Sequence, residues 1–204
     1  MAPGRNSLPS WATARSISRS RKRGAKAWCG AVIEVVAEHA LTGEDEAQIA
    51  ALLRASFPTD FGGRSFYQQR PHLRVVWRDG TILGHVALFY RAIRVDGQLI
   101  DVIGLGDIAT APQARGRGIA TSLLDRALAI GKDSNAQFAL LFGERRLYDR
   151  AGFRLAANTY IRIDMTGART GDVTRVQSRF LRVLPLTGAP WSDRAELDLL
   201  GPLF

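Results

Sequence analysis

Residues 107–121 read DIATAPQARGRGIAT and join an apolar strand to a helix through a glycine-rich turn. The backbone N–H groups of such a turn and of the first helical turn have no acceptor within the helix, and the helix dipole adds partial positive charge. Gly116 and Gly118 let the backbone approach a bulky phosphate without a Cβ clash, while Arg115 and Arg117 add charge. The stretch therefore predicts an anion site at the start of a helix.

Two familiar phosphate loops do not fit this stretch. A dinucleotide fingerprint needs a third glycine at fixed spacing and a strand with an acidic end about 20 residues further on, and the sequence has neither. A Walker loop needs Gly-Lys followed by Ser or Thr, which the sequence also lacks. The alternative that stays open is an ordinary capped helix after a loop.

Hydrophobic periodicity in the rest of the chain predicts strands and helices in a mixed order. The predicted strands are Ala31–Glu38, Leu73–Trp77, Ile82–Val95, Leu99–Thr110, Phe138–Phe142, Leu155–Met165 and Arg179–Leu184. The predicted helices cover residues 44–57, 119–131 and 144–151, and Thr59–Pro71 is predicted to be a substrate loop with a short helix. This order predicts an α+β fold whose sheet is antiparallel early and parallel around the main crossover helix.

The net charge of +9 is concentrated at the N-terminus. Seven of the 28 basic residues precede the first acidic one, Glu34, so that 21 basic residues face 19 acidic ones afterwards. The seven are Arg5, Arg15, Arg19, Arg21, Lys22, Arg23 and Lys26. The nearly neutral remainder predicts no nucleic-acid partner, because such a protein needs basic residues on the fold itself.

Residues 1–28 are predicted to be a disordered basic leader, and residues 29–204 a single domain. Three interpretations of the leader stay open: a dispensable tail or an upstream start, an organelle transit peptide, and an arm for nucleic acid or a membrane surface. It lacks the apolar run of about 7–15 residues of a secretory signal.

No apolar run of about 18 residues occurs, which predicts no membrane span and a cytoplasmic protein. The single cysteine, Cys29, excludes a Cys-rich metal site, and we predict no metal.

Two segments resemble the motifs of the GNAT acyltransferases. Arg115–Ala120 is similar to the family's R/Q-x-x-G-x-G/A motif, and Tyr148–Phe153 to its Y-x-x-x-G-F motif. The resemblance implies a centrally splayed sheet flanked by helices, with acetyl-CoA or another acyl-CoA as cosubstrate. It implies that the backbone of Ile108–Thr110 holds the pantetheine arm and the amides of Arg117–Thr121 the pyrophosphate. The cofactor residues so implied are Ile108, Ala109, Thr110, Arg115, Gly116, Arg117, Gly118, Ile119, Ala120 and Thr121.

Narrower resemblances concern the acceptor. The chain resembles NodA at Arg70–Arg74, over the run from Gly84-His85 to Val95-Asp96-Gly97, at Leu105-Gly106 and in the tail from Leu184-Pro185 to Ser192-Asp193. This resemblance implies transfer of a fatty acyl chain from acyl carrier protein to an amino sugar. The layout also resembles aminoglycoside 2'-N-acetyltransferases, in which Asp60 corresponds to an aspartate that reads the amines of the drug. Their catalytic glutamate falls at Gly106, with Asp107 one place on.

Acyl transfer to an amine needs a base for the amine, a dipole for the thioester carbonyl and a proton for the departing thiolate. Tyr148 is the predicted acid, because a phenol with a pKa near 10 stays protonated at neutral pH. Asp107, His85 and a relayed water compete as the base, and a backbone N–H near Thr110 is predicted to polarise the carbonyl.

The sequence therefore predicts an N-acyltransferase that acts on a small-molecule amine by direct attack in a ternary complex. An amino sugar, an aminoglycoside, a polyamine and a small amino metabolite stay open as acceptors, as do a monomer and a homodimer. A non-catalytic acyl-CoA-binding module is the competing class. It would be expected to lose the loop glycines or Tyr148, and the chain keeps both.

Overall fold

The computed structural model describes residues 30–204, so the predicted leader and Cys29 lie outside the described residues. Within that range ten strands form a single sheet. The strands are β1 (Val32–Ala37), β2 (Leu73–Asp79), β3 (Thr81–Val95), β4 (Gln98–Thr110), β5 (Phe138–Phe142), β6 (Arg154–Leu155), β7 (Thr159–Ile163), β8 (Val173–Gln177), β9 (Leu181–Pro185) and β10 (Leu197–Asp198). The helices are α1 (Gly43–Ser56), α2 (Ile119–Lys132) and α3 (Arg146–Arg150), with short 3₁₀ turns at Glu38–Ala40, Pro112–Ala114 and Thr166–Ala168.

The strand order is β6-β9-β5-β4-β3-β10-β7-β8, and β2 joins β1 to β3 beside this path. The β2–β3–β4 meander is antiparallel, and β4 pairs in parallel with β5 after the crossover through α2. The predicted α+β fold with a mixed sheet is thus confirmed. The β4–β5 pairing runs only from Val102 and Phe138 to Leu105 and Leu141. Beyond Leu105 the two strands part, which gives the sheet its central splay.

Helix α2 forms as its apolar spacing predicts. Its buried side chains recur at helical spacing and pack on the sheet; they are Ile119, Leu123, Leu124, Ala127 and Leu128. The helix approaches β3 so closely at Gly84 that a Cβ there would lie 2.5 Å from Ile119 Cγ2. Close packing at this point fixes where the first turn of α2 lies relative to β3 and β4.

Two apolar clusters lie on opposite faces of the sheet, since neighbouring residues of β4 alternate between them. Ile103 and Leu105 belong to the cluster that includes α1 and α2. Val102 belongs to the cluster that includes Leu197 and Leu199 from the C-terminal region. The helices and the C-terminal segment therefore cover the two faces.

The structure differs from the predicted elements in three places. Thr59–Pro71 contains turns and bends but no helix. The predicted strand Leu155–Met165 is interrupted before β7, where Asn158 donates to the carbonyls of Ser192 and Ala195 at 2.8 Å each. Strands β8 and β10 were not predicted, because β8 is a polar edge strand and β10 has only two residues, too few for a periodic pattern.

Candidate active site

Strand β4 is irregular at Asp107, just after it leaves β5. The register of its pairing with β3 shifts between His85 and Ala87, so that β4 holds one extra residue there. Asp107 has a φ of 48°, in the left-handed region. For a residue other than glycine this conformation costs roughly 1–3 kcal/mol and persists only where surrounding contacts hold it. The strained conformation of Asp107 is therefore the first sign of a functional site, and the residues that contact Asp107 must hold it in place.

The glycine-rich turn follows β4 and ends in the first turn of α2. Gly116 and Gly118 have φ angles of 75° and 78°, the left-handed region that glycine tolerates. The first bond of the helix runs from the Ser122 N–H to the Gly118 carbonyl, at 3.0 Å. The amides of residues 119–121 consequently have no acceptor within α2, and no side chain caps them.

This turn fits a phosphate-bearing ligand. A Cβ added at Gly116 or Gly118 would have no heavy atom within 4 Å, so the space above the turn is open. At the entrance to the turn the hydroxyl of Thr110 is buried and has no hydrogen-bond partner in the described part of the chain. Arg115 donates from Nε to the Thr110 carbonyl at 3.3 Å. The sequence-predicted cofactor residues 108–110 and 115–121 are thus brought together at one end of β4.

Asp107 lies beside these residues, half-buried, and its carboxylate accepts a hydrogen bond from the Tyr67 N–H. Burial raises the pKa of Asp107 to about 6, although the positive charge of Arg74 and the Tyr67 N–H oppose this rise. At neutral pH the carboxylate form still dominates. A general base works best when its pKa lies near the working pH, and Asp107 meets that condition.

His85 is fully buried, and both of its ring nitrogens have partners. Nδ1 lies 2.9 Å from the Asp107 carbonyl oxygen, and Nε2 lies 3.1 Å from Nη1 of Arg74. Burial lowers the pKa of His85 to about 3, and the charge of Arg74 lowers it further, while the Asp107 carbonyl and Glu38 oppose this. The imidazole is therefore neutral and lies next to Asp107.

Tyr148 is buried on α3, where its ring packs edge-on against Phe153 at 6.5 Å between centroids. Burial raises the pKa of Tyr148, and the charges of Arg145 and Arg182 oppose that rise. The phenol consequently keeps its proton at neutral pH. Its ring lies so close to Gly143 that a Cβ there would come within 2.7 Å of Tyr148 Cε2.

Arg182 on β9 binds residues on two sides of Tyr148. The sequence did not predict this role. Its Nε donates to the Gly143 carbonyl at 2.7 Å, and its Nη1 forms an ion pair with Asp149 on α3. Because one guanidinium binds both the end of β5 and α3, the position of the Tyr148 ring is fixed from two sides. An arginine within the apolar run of β9 was the available signal, since buried arginines are rarely unpaired.

The Gly143→Ala variant should therefore displace the Tyr148 ring, because the added methyl has no room. For the acid that the sequence predicts at Tyr148, such a displacement should lower kcat about 10- to 100-fold. Steady-state kinetics of Gly143→Ala and of the control Gly188→Ala, where a Cβ meets no atom within 4 Å, would measure this. Equal kcat values for the two variants would contradict the assigned position of Tyr148.

Asp60 lies in a different cavity from Asp107. That cavity, of about 240 Å³, is formed by the end of α1 and the turn that follows it. The Asp60 carboxylate accepts from the Gly62 N–H at 2.6 Å, as a turn-forming aspartate does. The structure thus gives Asp60 a local role and does not bring it together with Asp107 and Tyr148.

A small cavity lies directly beside Asp107. Its walls are formed by the segment before β2, by strands β3 and β4 and by the C-terminal residues. The lining residues are Tyr67, Gln68, Gln69, Phe89, Asp107, Leu203 and Phe204. Its volume is about 10 Å³, enough for roughly one water molecule. The Leu203 N–H donates to Gln68 Oε1 at 3.1 Å, which ties the C-terminal segment to this wall.

The C-terminal segment explains why β4 carries glycine at position 104. The Phe204 ring occupies the space that a Gly104 Cβ would take, and Arg91 lies over that ring at 4.6 Å. Glycine inside a strand often marks a bulge or a close approach of another part of the chain. Gly104 accommodates a ring from a distant part of the chain, and the irregularity itself falls at Asp107.

Among residues 30–204 no group of three or more His, Cys, Asp and Glu side chains is arranged to hold a metal ion. None of the helices described here is both long enough and apolar enough to cross a membrane.

Comparison with known proteins identifies the family. Residues 39–156 match the family model of the acetyltransferase (GNAT) domain. The YhbS protein of Escherichia coli K12, an uncharacterized N-acetyltransferase, is 29% identical over 132 residues, which cover 62% of this chain and 78% of YhbS.

Solved structures share the fold. The crystal structure of the E. coli GNAT family N-acetyltransferase YhbS, in complex with CoA, matches with a TM-score of 0.58 and 22% identity, covering 87% of this chain and 93% of YhbS. A GNAT family acetyltransferase from Brucella melitensis, in complex with acetyl-CoA, matches with a TM-score of 0.53 and 20% identity, covering 81% and 94% of the two chains. These comparisons do not confirm the narrower resemblance to NodA or to aminoglycoside 2'-N-acetyltransferases.

Proposed function

Because the chain belongs to the GNAT acetyltransferase family, we propose that it transfers an acetyl group from acetyl-CoA to a primary amine of a small molecule, by direct attack in a ternary complex. The observation that carries this proposal is the junction at the end of β4. There the open edge of the strand, Asp107 in its left-handed conformation and the uncapped amides of residues 119–121 lie next to one another. The CoA and acetyl-CoA complexes of the two solved relatives support the choice of donor.

The donor site follows from the two kinds of unpaired backbone group. The amides of residues 117–121 bind the pyrophosphate. Those of residues 119–121 point out of the first turn of α2 and have no acceptor there. The edge of residues 108–110 that faces away from β3 binds the pantetheine arm, because β5 has already parted from β4 at Leu105. The buried Thr110 hydroxyl gives this part of the site a polar group in need of a partner.

Asp107 and Tyr148 take complementary parts in the reaction. Asp107 accepts the proton that the amine loses as its nitrogen forms a bond to the thioester carbonyl carbon. A backbone N–H near Thr110 stabilises the developing oxyanion. When the carbon–sulfur bond breaks, Tyr148 donates its proton to the leaving thiolate. The amine, the carboxylate and the phenol thereby account for every proton moved.

The walls beside Asp107 favour a compact acceptor with one amine. Aside from Asp107, the side chains of these walls are two glutamines, one tyrosine and apolar groups, with no second acidic side chain among the described residues that line the cavity. A polyamine or an aminoglycoside carries several positive charges, which are normally matched by several carboxylates. The CoA and acetyl-CoA complexes of the two solved relatives favour acetyl over the fatty chain of the NodA-like alternative, in which acyl carrier protein delivers the chain to an amino sugar.

Binding of acetyl-CoA should raise the melting temperature of the wild-type protein. At 100 times Kd a ligand adds about 2.7 kcal/mol, which corresponds to a shift of roughly 5–10 °C for a domain of this size. The Gly118→Glu variant should show no shift, because its carboxylate would lie against the pyrophosphate. Differential scanning fluorimetry of both proteins measures the effect.

Gly97→Glu is the matched control. Gly97 has a φ of 79° and open space around its Cβ position, like Gly118, but lies in the turn between β3 and β4 at the opposite end of β4. Both variants therefore carry the same backbone strain and the same added charge. Gly97→Glu should keep the full shift. A wild-type melting temperature that acetyl-CoA and longer acyl-CoAs all leave unchanged would contradict the proposed function.

A further inference from the structure

Arg74 on β2 is entirely buried and joins three parts of the chain. Its guanidinium forms a two-pronged ion pair with Glu38 at 2.6 and 3.0 Å and donates to the Ser65 carbonyl at 2.7 Å. Burial tends to raise the pKa of Glu38, but the hydrogen bonds from Arg74 and Arg70 outweigh it and hold that pKa below its ordinary value. A buried guanidinium needs this full set of partners. Arg74 also donates to the Ser65 hydroxyl at 3.3 Å, so that its contact with His85 is held in a fixed geometry.

The partners of His85 determine its tautomer without any assumption about hydrogens. Arginine has no acceptor, so Arg74 donates and His85 Nε2 accepts, at 3.1 Å. Nδ1 therefore carries the ring proton and donates it to the Asp107 carbonyl, at 2.9 Å. No lone pair of the imidazole is left for an amine. A second proton on the ring would also place an imidazolium beside the Arg74 guanidinium.

We propose that His85 and Arg74 are positioning residues, which hold Asp107 in its left-handed conformation and so aim its carboxylate at the acceptor amine. The His85 N–H binds the carbonyl of Asp107, whose backbone lies in the left-handed region, and Arg74 fixes the orientation of the ring. This inference rests on the proposed function, because it takes Asp107 as the base. It replaces the alternative in which His85 itself accepts the proton.

Few charged or titratable groups face Asp107 in the described residues. Arg74 approaches from β2 and His85 from β3, while the segment before β2 contributes the Tyr67 N–H. The remaining wall consists of the Tyr67 side chain, two glutamines and the apolar side chains of β3 and the C-terminal segment, and the main chain of Phe204 lies next to Gly106. The pH dependence of the reaction should therefore follow Asp107, with the neutral His85 as a spectator.

Two substitutions of His85 separate positioning from proton transfer. Asparagine places an amide N–H close to the Nδ1 position and keeps the bond to the Asp107 carbonyl, whereas leucine removes it. We expect kcat of His85→Asn within about fivefold of wild type and kcat of His85→Leu lower by about 20-fold or more, with KM for acetyl-CoA unchanged in both, since misplacing a catalytic group acts mainly on kcat. Asparagine cannot act as a base at these pH values. Equal losses in the two variants, or loss of the acidic limb of the pH profile in His85→Asn, would overturn the proposal.

His72→Leu is the control for losing a histidine in this region. His72 accepts from the Tyr90 N–H at 3.2 Å and does not contact Asp107, so its loss should leave kcat unchanged. Arg74→Lys is the second test if His85→Leu does not fold. One ammonium group cannot bind Glu38, Ser65 and His85 in the same geometry, so kcat should fall while the acetyl-CoA melting shift stays. An Arg74→Lys enzyme with wild-type kcat would overturn the proposal, whereas failure of the wild type to bind acetyl-CoA would overturn the proposed function itself.

Discussion

Replacing Tyr148 with phenylalanine is expected to lower kcat by at least about 10²-fold, because general acid catalysis contributes about 10²–10⁴-fold. The variant keeps the ring that packs against Phe153 and Gly143 and removes only the proton that the thiolate takes. KM for acetyl-CoA should change little, since the hydroxyl acts when the carbon–sulfur bond breaks. Steady-state kinetics under conditions where chemistry limits turnover measure the loss.

Tyr160→Phe is the matched control for this result. Tyr160 is buried to the same extent as Tyr148, and burial raises its pKa too, but it lies on β7 and packs against Phe142. Its loss should leave kcat within about twofold of wild type, since it takes no part in the transition state. If Tyr148→Phe turns over at more than about half the wild-type rate while melting at a lower temperature, Tyr148 is structural and the acid lies elsewhere.

Replacing Asp107 with asparagine should cost a similar factor, about 10²–10⁴-fold in kcat/KM. In the wild type, kcat/KM should fall as the pH drops through about 6, because protonation of the Asp107 carboxylate removes the base. The profile is measured with an acceptor amine whose own pKa lies well outside this range. In Asp107→Asn the limb near pH 6 should disappear, leaving a low and flat profile.

Asp101→Asn controls for the loss of a carboxylate from the same strand. Asp101 accepts from the Tyr90 hydroxyl at 3.1 Å, at the end of β4 away from the glycine-rich turn, and its variant should keep the wild-type profile. A wild-type pH limb that persists unchanged in Asp107→Asn would assign the titration to another group. That outcome would favour a relayed water or the acceptor itself.

The part of the site that binds acetyl-CoA can be predicted from the sequence, because the residues that form it are contiguous in the chain. The turn at 115–118, the first turn of α2 and the start of the loop at Thr110 are contiguous, so their spacing alone predicts a backbone anion site. The helical period of α2 and the apolar run of β5 likewise predict the crossover that places the turn at the end of β4. Tyr148 comes from a second local pattern, the Tyr148–Phe153 motif.

The part of the site that binds the acceptor amine cannot be predicted from the sequence, because its contacts join segments that are far apart in the chain. Arg74 binds Glu38, Ser65 and His85, which belong to three different elements, and no local spacing encodes that arrangement. An arginine inside the apolar strand β2 was the one visible signal. The contact between the Phe204 ring and Gly104 cannot be predicted either, because about half of the chain separates the two residues in sequence.

The central claim is that acetyl-CoA binds along the end of β4 and on the first turn of α2. Hydrogen–deuterium exchange of the wild-type protein, with and without acetyl-CoA, tests it most directly. The amides of residues 119–121 have no acceptor within α2 and should exchange fast in the free protein. Acetyl-CoA is expected to slow exchange in peptides covering residues 106–121 and to leave those of β7 and β8 unchanged. Unchanged exchange over residues 106–121, or protection confined to residues 54–63 around the cavity of about 240 Å³, would contradict the account.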